Sequence, residues 1–263
     1  MGDIQGKVLA VEPLTPRITA LRIGAAELPA FDAGAHVEFN LPAGGTRAYS
    51  LIRFAEHGSA PMEYQIAVQR EDDGDGGSRY MHSLAVGDAV TFSAPKNDFP
   101  LDTSAPAILL AGGIGVTPMI AMAHELLRQN RDFELHYSGR ARGGMGYLND
   151  ILGFAWADKV HLHISDEGSR ADLGEIFAGY TQGWHVYTCG ADRYMSAVTQ
   201  AATQAGFPEE ALHLEYFSVP EQPEYENHPF TLRLAQTNRE FVVPADKSAT
   251  DVLAENGIHV DVK

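Results

Sequence analysis

The chain has one cysteine, Cys189, in 263 residues. A single thiol excludes an internal disulfide and any metal cluster held by several cysteines of this chain. It also fits a reducing compartment. Positive charge is scarce: 19 Lys and Arg stand against 35 Asp and Glu, a net charge of −16. Without a basic stripe, nucleic acid is not an expected partner, and an anionic membrane surface would repel the chain. Long apolar runs are missing too. The most apolar stretch, residues 105–122, is broken by Gly112, Gly113, Gly115 and Pro118, short of the ~20 residues a spanning helix needs. The start, Met1-Gly2-Asp3-Ile4-Gln5-Gly6-Lys7, has neither the cationic segment nor the apolar core of a signal peptide. Gly6 stands where an N-myristoylation pattern requires Ser or Thr. A cytoplasmic protein with no membrane partner is expected.

What is present is the composition of an ordinary globular protein, and the length suits about two domains. Up to residue 100 the chain reads as short β-type runs at 6–11, 17–23, 36–40, 47–52, 63–69 and 89–93. Turn clusters such as Pro42-Ala43-Gly44-Gly45 separate them, and one short helical piece lies at 78–84. That spacing predicts an antiparallel barrel or sandwich. From residue 105 strands at 107–111, 133–138, 159–164, 185–189 and 213–216 alternate with helices at 117–129, 146–154, 173–180 and 193–205. In the first helix Met119, Met122, Ala123, Leu126 and Leu127 fall at helical spacing. Such alternation predicts a parallel sheet covered by helices. Residues 220–229 are proline-rich, acidic and aperiodic, as a linker is. Beyond it a hairpin at 230–235 and 240–243 precedes a helix at 248–256, capped by Ser248 and closed by Gly257.

Three places carry chemistry. Leu109-Leu110-Ala111-Gly112-Gly113-Ile114-Gly115-Val116-Thr117-Pro118-Met119 runs from a buried strand through three glycines into a helix. Glycines permit close backbone approach, and a helix N-terminus offers free N–H groups to an anion such as a dinucleotide pyrophosphate. A tight strand–helix turn without a ligand explains the glycines alone equally well. Tyr187-Thr188-Cys189-Gly190-Ala191 closes a later strand of the same sheet, and ligands gather at the carboxyl ends of parallel strands. Taken alone, Cys189 is better explained as a small core side chain. In the first domain Arg47-Ala48-Tyr49-Ser50-Leu51 sets Arg47, Tyr49 and Leu51 on one strand face and Ala48 and Ser50 on the other. A cation, a ring and a hydroxyl so close suit a phosphorylated planar cofactor, and Gly76-Gly77-Ser78 is a second candidate anion nest. Ordinary strand and turn residues would look the same one motif at a time. His161 and His163 alternate on a strand, but without an expected carboxylate or thiol neighbour they are read as strand residues, so no metal ligands are assigned.

Taken together and in this order, Arg47–Leu51, Gly76-Gly77-Ser78, Pro95-Lys96-Asn97-Asp98-Phe99-Pro100-Leu101, the Gly112–Met119 turn, Tyr187-Thr188-Cys189-Gly190 and Glu215-Tyr216-Phe217 make the chain resemble the phthalate dioxygenase reductase family. That family includes vanillate demethylase reductases and belongs to the ferredoxin–NADP⁺ reductase-like flavoproteins. The resemblance implies a flavin-binding antiparallel β-barrel at 1–103, an NAD-binding α/β domain at 104–219, a linker at 220–229 and part of a plant-type ferredoxin domain at 230–263. It implies that Arg47 holds the flavin phosphate, Tyr49 packs on the isoalloxazine, Ser50 hydrogen-bonds near N5, and Gly76, Gly77 and Ser78 cradle the phosphate, with Ala48 and Leu51 alongside. Gly112, Gly113, Gly115, Thr117 and Pro118 would meet the nicotinamide dinucleotide, Cys189 and Gly190 the nicotinamide, and Phe217 the other flavin face. Ser50, Cys189 and Phe217 would thus serve the hydride transfer.

Through its Pro-x-Asn-x-Phe-Pro-Leu pattern, the resemblance implies FMN over FAD. The resemblance favours NADH over NADPH, although Arg140, where an adenosine ribose would lie, could receive a 2′-phosphate. The implied reaction passes a hydride from NAD(P)H to flavin and then single electrons to a Rieske-type oxygenase, in an aromatic hydroxylation or O-demethylation system. Family members continue with a [2Fe–2S] ferredoxin domain whose cysteines follow C-x₄-C-x₂-C…C. Here the sequence stops before the first of them, so the cluster is expected only in a longer parent chain, of which this is a shortened form; natural loss of the outlet is the alternative. Two other readings are a binding or sensing subunit without turnover and a free-standing NADH:acceptor flavin reductase.

Overall fold

The computed structural model describes residues 2–53, 63–179, 183–217, 227–235, 237–258 and 260, in two units, Met1–Val219 and Pro220–Lys263. In the first unit, side chains that alternate between buried and exposed make six strands: β1 (Ile4–Pro13), β2 (Ile18–Ala25), β3 (His36–Asn40), β4 (Thr46–Ser50), β5 (Tyr64–Gln69) and β6 (Ala89–Phe92). They pair antiparallel in the order β4-β3-β6-β1-β2-β5. The N–H of Ile52 donates to Gln65 O at 2.8 Å, bridging the two outer strands and closing the sheet into a barrel. Closure removes the open edges. Val8, Leu21, Ile23, Val37, Phe39, Leu51, Ile66 and Phe92 fill its interior, and α1 (Gly77–Ser83) packs on it through Met81.

The rest of this unit is a parallel sheet of β7 (Ala107–Gly112), β8 (Phe133–Gly139), β9 (Val160–Ile164), β10 (His185–Cys189) and β11 (Leu212–Glu215). The helices between them are α2 (Val116–Arg128), α3 (Leu148–Gly153), α4 (Leu173–Ala178) and α5 (Asp192–Gln204). The order β11-β10-β7-β8-β9 means that the chain builds outward from β7 on one side and then crosses to the other. Phe177 of α4 with Val198 and Ala202 of α5 covers Ile108 and Leu110 of β7 and Val186 of β10 on one face. α2 covers the other face with Met119, Met122, Ala123 and Leu126, whereas Leu127, at the margin of its apolar stripe, is 40% exposed.

Ile18, Ala20, Ile52 and Ala67 of the barrel share one apolar cluster with Met119, Met122 and Tyr187 of the α/β part. Full burial of such side chains stabilises by roughly 1.5–3 kcal/mol each, so barrel and sheet are held in one arrangement. Gln65 Nε2 donates to the Tyr147 hydroxyl across this contact at 3.0 Å. Several element boundaries differ from expectation by one to a few residues, and two of the shifts have a local reason. Helix α3 starts at Leu148 because Tyr147 is left-handed (φ 57°), and β4 ends at Ser50 because Leu51 turns into the barrel core. The end of the 173–180 helix reading, residue 180, lies outside the described residues.

In the second unit β12 (Phe230–Arg233) and β13 (Glu240–Val243) form a hairpin followed by α6 (Ala249–Glu255). Ser248 and Asp251 form a reciprocal capping box at its start, and Gly257 (φ 73°) follows its end. Val243, Val252 and Leu253 are buried within this unit. Most of the 220–229 linker reading, with the rest of 218–226, lies outside the described residues.

Candidate functional site

β4 delivers Arg47 and Tyr49 to one face and Ala48 and Ser50 to the other, as the period of two dictates. The Arg47 guanidinium lies beside the Gly76-Gly77 turn. A Cβ on Gly77 would come within 2.8 Å of Arg47 Cγ, and Gly76 is left-handed at φ 88°, so both positions call for glycine. Arg47 Nη2 donates to Asp75 Oδ2 at 2.9 Å, and that carboxylate is 88% exposed. The first turn of α1 has neither a side-chain cap nor an acidic residue. A forked cation, uncapped N–H groups and a displaceable counter-ion form a cradle that fits a phosphate dianion. The Ser78 hydroxyl is engaged elsewhere: it accepts from the Glu71 N–H at 3.0 Å and donates to the Glu71 carbonyl at 3.3 Å, so it shapes the loop beside the cradle. Tyr49 stands edge-on to Phe39 (5.9 Å), and burial raises its hydroxyl to about 12.

On the other face of β4, Ser50 is buried and its Oγ donates to Glu215 Oε2 at 3.3 Å. This bond joins the barrel to the last parallel strand across 165 residues of sequence. Glu215 pairs in register with Cys189, and Cys189 with Ala111, so β11, β10 and β7 end side by side. Burial lifts the Glu215 carboxyl from an ordinary 4.5 to about 7, the Ser50 hydrogen bond lowers it in part, and the Asp98 charge raises it further. Burial, with the Glu215 charge nearby, also raises the Cys189 thiol. Glu215 is a candidate site residue that the sequence alone does not single out. In the sequence it stands only as a neighbour of Phe217, because folding alone brings it to Ser50.

The glycine turn serves packing as well as access. A Cβ on Gly115 would sit 2.1 Å from the Cys189 carbonyl oxygen, while Gly112 and Gly190 both lie against the Tyr194 ring. Gly113 is left-handed (φ 56°) and faces open space. Helix α2 begins at Val116, after a short 3₁₀ turn, so Thr117 does not cap it. The Thr117 hydroxyl instead donates to Ile114 O at 3.1 Å, and Pro118 is buried. Cys189 is fully buried, whereas Phe217, just past β11, is 46% exposed. Since the order of the sheet reverses between β7 and β10, its switch point lies where Gly112-Gly113 meets Cys189-Gly190. That is where open parallel sheets receive ligands.

The Pro95–Leu101 motif is a corner that supports this region. Asn97 Nδ2 donates to Ala33 O and Asn97 Oδ1 accepts from the Phe99 N–H, while Phe99 stands edge-on to Tyr187 (5.7 Å). Past β8, Arg140 projects into solvent with Asp166 at 3.6 Å, and Arg142 forms a two-pronged pair with Glu167. One expectation needs correcting: His161 does have a carboxylate neighbour. Parallel register sets His136 beside His161 and brings Glu134 Oε2 to 3.3 Å from His161 Nε2.

No protein-family profile matches the chain. It is 38% identical over 258 residues to the heme-dependent oxidative N-demethylase beta subunit of Ectopseudomonas mendocina, covering 97% of this chain and 81% of that protein. It is 33% identical to the vanillate O-demethylase oxidoreductase of Acinetobacter baylyi, covering 96% and 80%. Among solved structures, it superposes on phthalate dioxygenase reductase, described as a modular structure for electron transfer from pyridine nucleotides to [2Fe–2S]. That match has a TM-score of 0.77 at 33% identity and covers 99% of this chain and 82% of that one.

Proposed function

The chain belongs to the phthalate dioxygenase reductase family, flavoprotein reductases that supply oxygenase components with electrons from NAD(P)H, and from that premise we propose how its residues do so. The Ser50–Glu215 bond beside Cys189, at the switch point of the sheet, carries the reading. A flavin held here would supply hydride acceptance and one-electron release; the protein's residues hold, orient and shield. Arg47 and the Gly76-Gly77 turn hold the flavin phosphate in place of the Asp75 carboxylate, beside the loop that Ser78 braces. Tyr49 and Phe217 would offer ring faces to the isoalloxazine, with Ala48 alongside on β4 and Leu51 backing the site from the barrel core. Ser50 places a hydroxyl at its reactive edge, and Glu215 fixes that hydroxyl and can carry a proton near neutral pH. Gly113 and the ends of β7 and β10, with Gly112, Gly115, Thr117, Pro118, Cys189 and Gly190, would hold the dinucleotide and orient it toward the flavin.

We assign residues 1–103 to flavin binding, 104–219 to dinucleotide binding and 230–263 to part of a ferredoxin-like domain joined by 220–229. FMN is the proposed flavin, on the Pro95–Leu101 pattern. NADH is the proposed donor: Asp166 and Glu167 engage Arg140 and Arg142 where an adenosine ribose would lie, and carboxylates there favour a ribose 2′-hydroxyl over a 2′-phosphate. The partner is a Rieske-type oxygenase in the cytoplasm. Electrons reach it through a [2Fe–2S] domain outside these 263 residues, since one cysteine cannot hold a four-thiolate cluster. Heat release and chromatography of the bound flavin, with kcat/KM for NADH and NADPH, test these choices. FMN and an NADH preference are expected; FAD or an NADPH preference would reject the corresponding assignment.

A further inference from the structure

We propose that Glu134, His136 and His161 form a binding site for a divalent transition-metal ion, which ties the outermost strand β9 to β8. α4 and α5 cover β7 and β10 with apolar side chains. Farther out on the same sheet face, by strand register, β8 and β9 present Glu134, His136, His161 and His163. One nitrogen or oxygen from each of Glu134, His136 and His161 lies within 4.8 Å of the other two. Glu134 Oε2 is 3.4 Å from His136 Nε2 and 3.3 Å from His161 Nε2. Those separations match the ligand-to-ligand edge of a tetrahedral site with bonds of about 2.0–2.1 Å, roughly 3.3–3.5 Å. Two imidazoles and one carboxylate are a donor set for zinc or cobalt that leaves a fourth position to water.

A second observation points to a ligand independently of this clustering. His136 is 5% exposed, yet its Nε2 is buried without a hydrogen-bond partner. Its other nitrogen, Nδ1, lies 3.1 Å from His163 Nε2. With Nδ1–H donating to His163, His136 Nε2 carries a lone pair, 3.4 Å from Glu134 Oε2. In the opposite tautomer the buried N–H has the Glu134 carboxylate 3.4 Å away. A cation bound to the lone pair satisfies that nitrogen, with His163 as the outer partner that fixes the ring. The His136 and His161 rings are nearly parallel (16°), so the site closes by turning His161, whose side chain is 46% exposed. Sequence reading missed the site because its carboxylate and its second imidazole come from a different strand.

The site stands apart from the flavin reading, and so does its test. The purified, chelator-treated protein is titrated with ZnCl₂ by calorimetry and with Co(II) by visible absorption. One ion per chain is expected, with the intense d–d bands of four-coordinate cobalt and a zinc-dependent rise in melting temperature. Glu134→Gln and His161→Ala, both at partly exposed positions, are expected to weaken zinc binding at least about tenfold, because even outer-shell partners are worth ~10–100-fold. His163→Ala, a positioning change, is expected to have a smaller effect, and circular dichroism and flavin content report folding in each variant. The rival location is His185 with His213, 3.0 Å apart on the opposite sheet face by register. Absence of saturable binding, equal zinc affinity in wild type and both ligand variants, or loss of zinc only in His213→Ala would overturn the proposal.

Discussion

The cradle at Arg47 and the seam at Glu215 are made of opposite materials. The cradle is a charged turn on the surface, and its ion pair ends on a carboxylate that is 88% exposed. The seam is buried and assembled from strand ends, where Ser50, Cys189 and Glu215 meet among apolar neighbours. A surface ion pair contributes at most ~1 kcal/mol to folding, whereas buried polar groups depend on one another and on the packing around them. The two halves of the site should therefore fail differently. Damage to the cradle costs ligand affinity and leaves the fold alone; damage to the seam costs the fold or the chemistry.

The largest effect belongs to the seam. Gly115→Ala drives a Cβ to 2.1 Å from the Cys189 carbonyl oxygen, a backbone atom that cannot swing away. A loss of about 3 kcal/mol in urea unfolding is expected, at the upper end of overpacking costs; a wild-type midpoint would show that the strand ends are not closely packed there. Next comes Arg47→Ala, which removes charge-assisted hydrogen bonds worth ~1.5–3 kcal/mol. The flavin dissociation constant should rise roughly 10–100-fold, while the flavin-free protein unfolds within ~1 kcal/mol of wild type. If stability fell and flavin binding did not, the contrast would be reversed.

A subtler effect distinguishes the seam by pH. The folded state holds the Glu215 proton more tightly than the unfolded chain does, with a pKa of about 7 against an ordinary 4.5. This group's contribution is therefore complete below pH 4.5 and is lost as pH rises toward 7. Glu215→Gln should remove that slope from the pH profile of stability. It should also remove an ionisation near 7 from the rate of flavin reduction. An unchanged profile would assign the titration elsewhere. The smallest effect is expected at Arg140→Ala, outside both regions: 89% exposed, it should change kcat/KM for NADH by no more than about threefold, in keeping with the small worth of exposed charges.

The same contrast decided what could be read from the sequence. Elements with strong periodicity, such as 36–40 and 185–189, matched the observed strands, and the cradle was legible because Arg47 and Gly76-Gly77 each carry a local signal. The seam was legible in part. Ser50 and Cys189 could be named, but Glu215 acquires its role only when β11 is laid beside β10. The glycines at 112 and 115 looked like ligand contacts, yet their nearest constraints are Tyr194 and the Cys189 backbone. The histidines on β9 looked unpartnered because Glu134 and His136 come from another strand, and register is a property of the folded sheet. Local chemistry is written along the chain, whereas juxtaposition is not.

The claim that cradle and seam together form one hydride-accepting flavin site is tested most directly by anaerobic titration of the purified yellow protein with NADH, followed by its visible absorption. The account predicts bleaching at one equivalent of NADH per bound flavin in wild type, and retained flavin that bleaches more slowly in Ser50→Ala. Protein that binds flavin yet stays yellow with excess NADH would contradict it.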